Sequence, residues 1–173
     1  MAHSARADRH DTGPQLDPTG GPRSRAPLYA LLPLRIFLGV TFVYAGLDKL
    51  TDSGFPGSLT GIMESVSGAA APWLLDLALT DPESFGYAIA FGEIAVGLGA
   101  LAGLLTRIAA LGGALISLSF WLTLSWNVGP YYYSQDLPYL VAWIPLIIAG
   151  APLFSLDAVI AGWRARRGRR QFG

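Results

Sequence analysis

Four long apolar runs constrain this chain more than any other feature. They extend from Ala26 to Leu47, Phe85 to Leu105, Ile108 to Trp126, and about Leu137 to Phe154. Each is close to the roughly 17–25 residues a helix needs to span about 30 Å of hydrocarbon. The first holds one charge, Arg35, and the second one, Glu93; the third and fourth hold none. A chain that is 52% hydrophobic and only 14% charged cannot cover a soluble surface of this size, so lipid is the expected solvent. Val43-Tyr44-Ala45 is similar to a signal-cleavage site, but the run around it is about twice the usual signal core, which favours a retained helix. The expectation is an all-α, integral membrane four-helix bundle.

The segments between the runs fill in the outline. Residues 1–25 are rich in Arg, Asp, Gly and Pro without apolar period, which predicts a disordered cytoplasmic tail. Residues 26–160 form the membrane domain, and 161–173 a basic cytoplasmic tail. Between the first two runs, Ile62, Met63 and Val66, then Trp73, Leu74, Leu77 and Leu79, suggest short interfacial helices in the first outer loop. A further one at the C-terminus starts from an N-cap at Ser155. Pro138 and Pro145 are candidates to kink the last span.

Charge placement gives an orientation. Net charge is zero, which argues against a nucleic-acid partner, but ten of the twelve basic residues fall on one side of a four-span arrangement. They are Arg6, Arg9, Arg23 and Arg25 in the first tail, Arg107 between the second and third spans, and Arg164, Arg166, Arg167, Arg169 and Arg170 at the end. The positive-inside rule then puts both termini in the cytoplasm of a cell (plasma) membrane protein. There is no cysteine, and the two histidines, His3 and His10, lie in the tail. Thiol relays and thiolate clusters are excluded, no metal site is expected, and any electron carrier must be a bound cofactor or a partner.

Charges inside spans are costly and are functional candidates by default. Counted along the helices, Arg35 sits about 12 Å and Glu93 about 20 Å above the cytoplasmic edge, close enough for two long side chains to meet. The bland alternative is a structural ion pair pinning the first span to the second; an unpaired buried Glu93 could instead shuttle protons. Arg35, Gly39, Phe42, Gly46 and Lys49 share one helical face. Glu93, Gly97 and Ala100 form a stripe on the second span, flanked by Gly92, Ala95, Gly99 and Ala102, the pattern of tight helix packing. Trp121, Trp126, Tyr131, Tyr132, Tyr133, Tyr139 and Trp143 crowd the outer end. They read either as an interfacial aromatic belt or as a flat pocket for a quinone ring, with Asp48 and Lys49 at the same height. The glycines of 92–99 follow no strand, so a nucleotide-binding reading fails.

Three stretches, RIFLGVTFVYAGLDKL (Arg35 to Leu50), FGEIAVGLGALAGLLTR (Phe91 to Arg107) and PLFSLDA (Pro152 to Ala158), resemble the DoxX/DoxD family of small four-helix membrane proteins. The long first loop and WNVGPYYY (Trp126 to Tyr133) are closer to the DoxD branch, the membrane subunit of a thiosulfate:quinone oxidoreductase that works with a second subunit. The resemblance picks out Arg35, Gly46, Lys49, Gly92 and Glu93 as family-pattern residues without assigning them catalytic roles. It implies a quinone-linked redox membrane subunit with menaquinone or ubiquinone as cofactor. The expected catalytic residues are Glu93, Lys49 and Arg35, with Trp126, Tyr131, Trp143 and Asp48 around the ring. A second oxidoreductase subunit and a homo-oligomer are the expected partners besides the bilayer. The competing readings are a membrane scaffold that recruits a soluble oxidoreductase and a small proton-coupled transporter.

Overall fold

The computed structural model describes residues 29–151, 155–157 and 159–160. The tails expected at 1–25 and 161–173, and most of the PLFSLDA stretch, lie outside the described residues. The described secondary structure is entirely helical. Six α-helices follow in order: α1 Leu32–Thr51, α2 Phe55–Ser65, α3 Pro72–Thr80, α4 Pro82–Ala102, α5 Thr106–Phe120 and α6 Asp136–Ala149. A π-helical turn, Trp121–Ser125, prolongs α5, and a 3₁₀ turn, Tyr131–Tyr133, precedes α6. Prolines in the first turns of α1 to α4 set the starts, because a helix's first N–H groups have no intrahelical partner to lose.

α4 and the prolonged α5, Pro82–Ala102 and Thr106–Ser125, are long and apolar enough to cross a bilayer. α1 has 20 residues but carries Arg35, Asp48 and Lys49. α6 is apolar but has only 14 residues, about 21 Å of helix, and ends at Gly150 with φ +69°. The fourth run is therefore shorter as a helix than its apolar length implied. The first is displaced towards the C-terminus, since Pro33 suits a first turn and the helix continues through Asp48 and Lys49 to Thr51.

α1 packs along α4, α4 along α5, α5 along α6, and α6 returns to α1, closing a ring. Its core holds Leu38 and Phe42 of α1, Val96 and Ala100 of α4, Ala110 and Ala114 of α5, and Trp143 and Leu146 of α6. The α1–α4 seam is the closest approach. A Cβ at Gly97 would stand 2.7 Å from the Gly39 carbonyl oxygen and 2.7 Å from the Val43 amide nitrogen, so only glycine fits there. The flanking stripe meets α5: a Cβ at Gly99 would lie 3.0 Å from the Ala109 Cβ.

The segment between the first two apolar runs folds into α2 and α3, as the sequence suggests. Their Leu59, Met63, Leu75 and Ala78 form a second small core, into which Phe55, Phe85 and Leu124 pack. The π turn contributes here. Its wider winding leaves the Leu122 carbonyl free to accept from Ala70 N–H (2.9 Å) and Ala71 N–H (3.2 Å) ahead of α3. Asn127 completes the tie by donating to the carbonyls of Ser67 (2.7 Å) and Gly68 (2.9 Å).

Candidate functional site

Glu93 is 4% exposed, and its partner is Lys49. The ammonium donates to both carboxylate oxygens, at 3.0 and 2.8 Å, and to the Ala45 carbonyl at 3.4 Å. Its Nζ also lies 6.0 Å from the centre of the Phe55 ring. Arg35 does not take this place. It lies at the other end of α1, 14 residues or about 21 Å of helix from Lys49. Gly103 lies beside it, where an added Cβ would come 3.4 Å from Arg35 Nη1. The reason is the antiparallel register. Gly39 sits against Gly97 and Gly46 against Ala90 and Ile94, which brings Arg35 level with Gly103 and Glu93 level with the C-terminal half of α1. A continuous helix from Glu93 to Arg107 does not exist: Gly103 (φ +65°) ends α4, and Arg107 belongs to α5.

The pair borders a cavity of about 390 Å³ between α1, α4, α5 and the start of α6. Phe42, Ile116, Phe120 and Tyr139 supply its apolar walls; Asp48, Ser117, Gln135 and Asp136 supply polar groups. Asp136 is held in place by Ser125 Oγ–H and by Ser134 Oγ–H (3.2 Å), which both donate to its Oδ2. Tyr139 is fixed edge-on to Phe42, ring centres 6.1 Å apart at 85°. The arrangement places one buried carboxylate, held by one lysine, at the wall of a half-polar chamber that a flat ring could enter.

Of the residues the sequence singled out, Glu93, Lys49, Asp48, Phe42 and Tyr139 come together here. Trp126 packs on Trp121 (5.0 Å) and Tyr131 on Tyr132 (5.6 Å), both exposed and outside the cavity lining. Trp143 is fully buried one turn deeper than Tyr139, edge-on to Phe42 at 5.0 Å and against Gly113, so it belongs to the core. Asp136, Ser117 and Gln135 went unread. Asp136 and Tyr139, three apart on one helix, were the available signal.

At the opposite end, Asp157 accepts from the N–H groups of Leu105 (2.9 Å) and Thr106 (3.2 Å), capping α5 where Leu105 has a positive φ of 49°. The PLFSLDA stretch thus supplies a helix cap.

The DoxX family model matches residues 30–126, from the start of α1 to the end of the prolonged α5. The chain belongs to the DoxX family. Comparison with curated proteins and with solved structures returns no match. The DoxX match takes in both walls of the α1–α4 seam, Lys49 and Glu93 included, and stops short of α6 with Asp136 and Tyr139. Family membership and the two apolar helices make this a membrane protein, associated with a lipid bilayer. The exposure of Phe37, Val40 and Tyr44 on α1, Phe91 and Leu98 on α4, Leu111 and Leu115 on α5, and Val141 and Ile148 on α6 suits such a solvent.

Proposed function

We propose that this DoxX-family protein is a quinone-linked redox membrane subunit of the DoxX/DoxD type. In this reading it lies in the plasma membrane as four spans, α1, α4, α5 and α6, with both termini cytoplasmic and α2 and α3 at the outer interface. A homo-oligomer or a second oxidoreductase subunit is the partner in this reading, and the 14-residue α6 is short for a span. The observation that carries the reading is the buried Glu93–Lys49 pair at the wall of a 390 Å³ cavity with aromatic sides. A menaquinone or ubiquinone held there would supply two-electron acceptance coupled to uptake of two protons. Glu93 holds a proton-exchangeable carboxylate at the wall, and Lys49 keeps it oriented. Phe42, Phe120 and Tyr139 give a ring apolar contact and keep water out. Thiosulfate is the donor that the DoxD resemblance brings, oxidised with a second subunit.

The test is quinone reduction in lipid nanodiscs by the protein co-purified with its native membrane partners, thiosulfate being the donor. Glu93→Gln is expected to lower turnover at least tenfold at unchanged helicity. If wild-type complex folds well and reduces no quinone, the reading falls. A scaffold role then takes its place, favoured by the fact that Lys49 and Glu93 already satisfy each other across α1 and α4. For a scaffold, the same substitution lowers abundance or partner capture and leaves no turnover to lose.

A further inference from the structure

We infer that the Glu93 cavity is entered from the lipid, through a mouth between α1 and the start of α6, by an amphiphile whose ring goes in and whose apolar tail stays in the bilayer. The inference rests on the quinone-linked reading, with α1 and α6 as spans, and adds the route of entry and the kind of tail the ligand carries.

Exposure along the cavity wall locates the opening. The residues that α4 and α5 contribute, Glu93, Ile116, Ser117 and Phe120, are buried or half-buried. The exposed ones are Tyr44 and Asp48 on α1 and Gln135, which directly precedes α6. The mouth therefore lies between α1 and α6.

This seam is the least packed of the four in the ring, and helix length is the reason. α1 has 20 residues and α6 has 14, about 30 and 21 Å of helix. Aromatic rings close the seam as far as Tyr139, which lies 6.3 Å from Phe37 and 6.1 Å from Phe42 between ring centres. α6 begins only at Asp136, less than one turn before Tyr139, whereas α1 continues from Phe42 to Thr51. The upper flank of the cavity is left without a full turn of α6 to cover it.

The mouth changes character along α1. Tyr44 is 71% exposed and shares its helical face with Val40 and Leu47, 53% and 48% exposed. Large apolar side chains exposed along the flank of a span suit acyl chains rather than water. Asp48, one turn further on, is exposed and charged, as suits the headgroup region. A cavity of about 390 Å³ takes a ring, so a long tail has to leave it by the mouth. Past Tyr44 the tail leaves into hydrocarbon and exposes no apolar surface to water; past Asp48 it would have to cross a charged rim.

The chain has no native cysteine, so a single introduced one can be capped on either side of the mouth. Tyr44→Cys and Asp48→Cys are each capped in detergent with the same bulky maleimide, and the full-length protein is returned to nanodiscs. Val40→Cys, capped likewise, tests the same exposed face outside the cavity lining. The probe is a decyl-tailed benzoquinone, and its binding rate is the saturable phase of tryptophan quenching in stopped flow; circular dichroism checks the fold. The cap at position 44 is expected to slow binding roughly tenfold or more, and the caps at 40 and 48 less than about twofold. Equal or greater slowing from the cap at 48 or at 40, or no slowing from the cap at 44, overturns lipid entry by this mouth and leaves the quinone reading standing. Absence of a saturable phase in the uncapped, well-folded protein overturns the quinone reading and the route with it.

Discussion

At the scale of single residues, the Lys49–Glu93 pair is the most informative feature. Taking two charges out of water is expensive, and mutual attraction with good geometry offsets it. Here the geometry is good, with both carboxylate oxygens engaged and only 20% and 6% of the two side chains exposed. Removing one partner strands the other. Lys49→Met should therefore cost about 3–5 kcal/mol, and the Lys49→Met/Glu93→Leu double variant should recover most of it. Unfolding midpoints in detergent would show this; additive losses would mean that the two charges do not act as a unit. Asp81 illustrates the milder, exposed case. Its carboxylate caps α4, accepting from Ser84 N–H at 3.1 Å. Hydrogen bonding from the Ser84 side chain, then from its backbone, holds the carboxyl below its ordinary range. A lowered folded-state value means the cap's stabilisation is fully present above the unfolded value, near 4, and fades as pH falls through the folded one. Acid titration of thermal stability should accordingly show a small loss below about pH 4 that Asp81→Asn removes.

At the scale of elements, the α1–α4 seam depends on residues with no side chain. A Cβ at Gly97 meets backbone atoms on α1, which cannot rotate away. Gly97→Ala should cost about 1–3 kcal/mol by overpacking and separate the two helices. Gly57 on α2 has nothing within 4 Å of its Cβ position, so Gly57→Ala should be neutral or slightly stabilising. Comparable losses in both would argue against the seam as the determinant of packing. The start of α5 is a second dependence. Asp157→Ala removes the acceptor for two backbone N–H groups next to the positive φ of Leu105 and should cost about 1 kcal/mol, read as a lower melting midpoint.

At the scale of the molecule, the ring of helices has two dissimilar ends. One holds the cavity, α2, α3 and the polar ties of Asn127 and Asp136; the other holds Arg35, Arg107 and the Asp157 cap. The proposed orientation puts the first outside. The absence of native cysteine makes this directly measurable. Cysteine substituted for Asp52 or Tyr132 should react with an impermeant maleimide in intact cells, and cysteine at Arg107 only after the membrane is opened. Labelling of position 107 in intact cells would reverse the topology.

The sequence by itself determined the helical class, the membrane setting and the helix faces. Apolar length and the 4, 3, 4, 3 spacing of Arg35, Gly39, Phe42, Gly46 and Lys49 are local properties, legible residue by residue. Arg35, Gly39, Phe42 and Gly46 are indeed buried on that face, as are Glu93, Gly97 and Ala100 on α4. Which charge meets which was not local. It depended on the axial register of two antiparallel helices, fixed by how closely Gly39 and Gly97 let the backbones approach and by where Gly103 ends α4. The same holds for the aromatics, whose composition could not separate Tyr139 at the cavity from Trp143 in the core or Trp126 at the surface. Only the packing of α6 against α1 and α5 assigned those places, because one turn of helix decides whether a ring fills a core or borders a chamber.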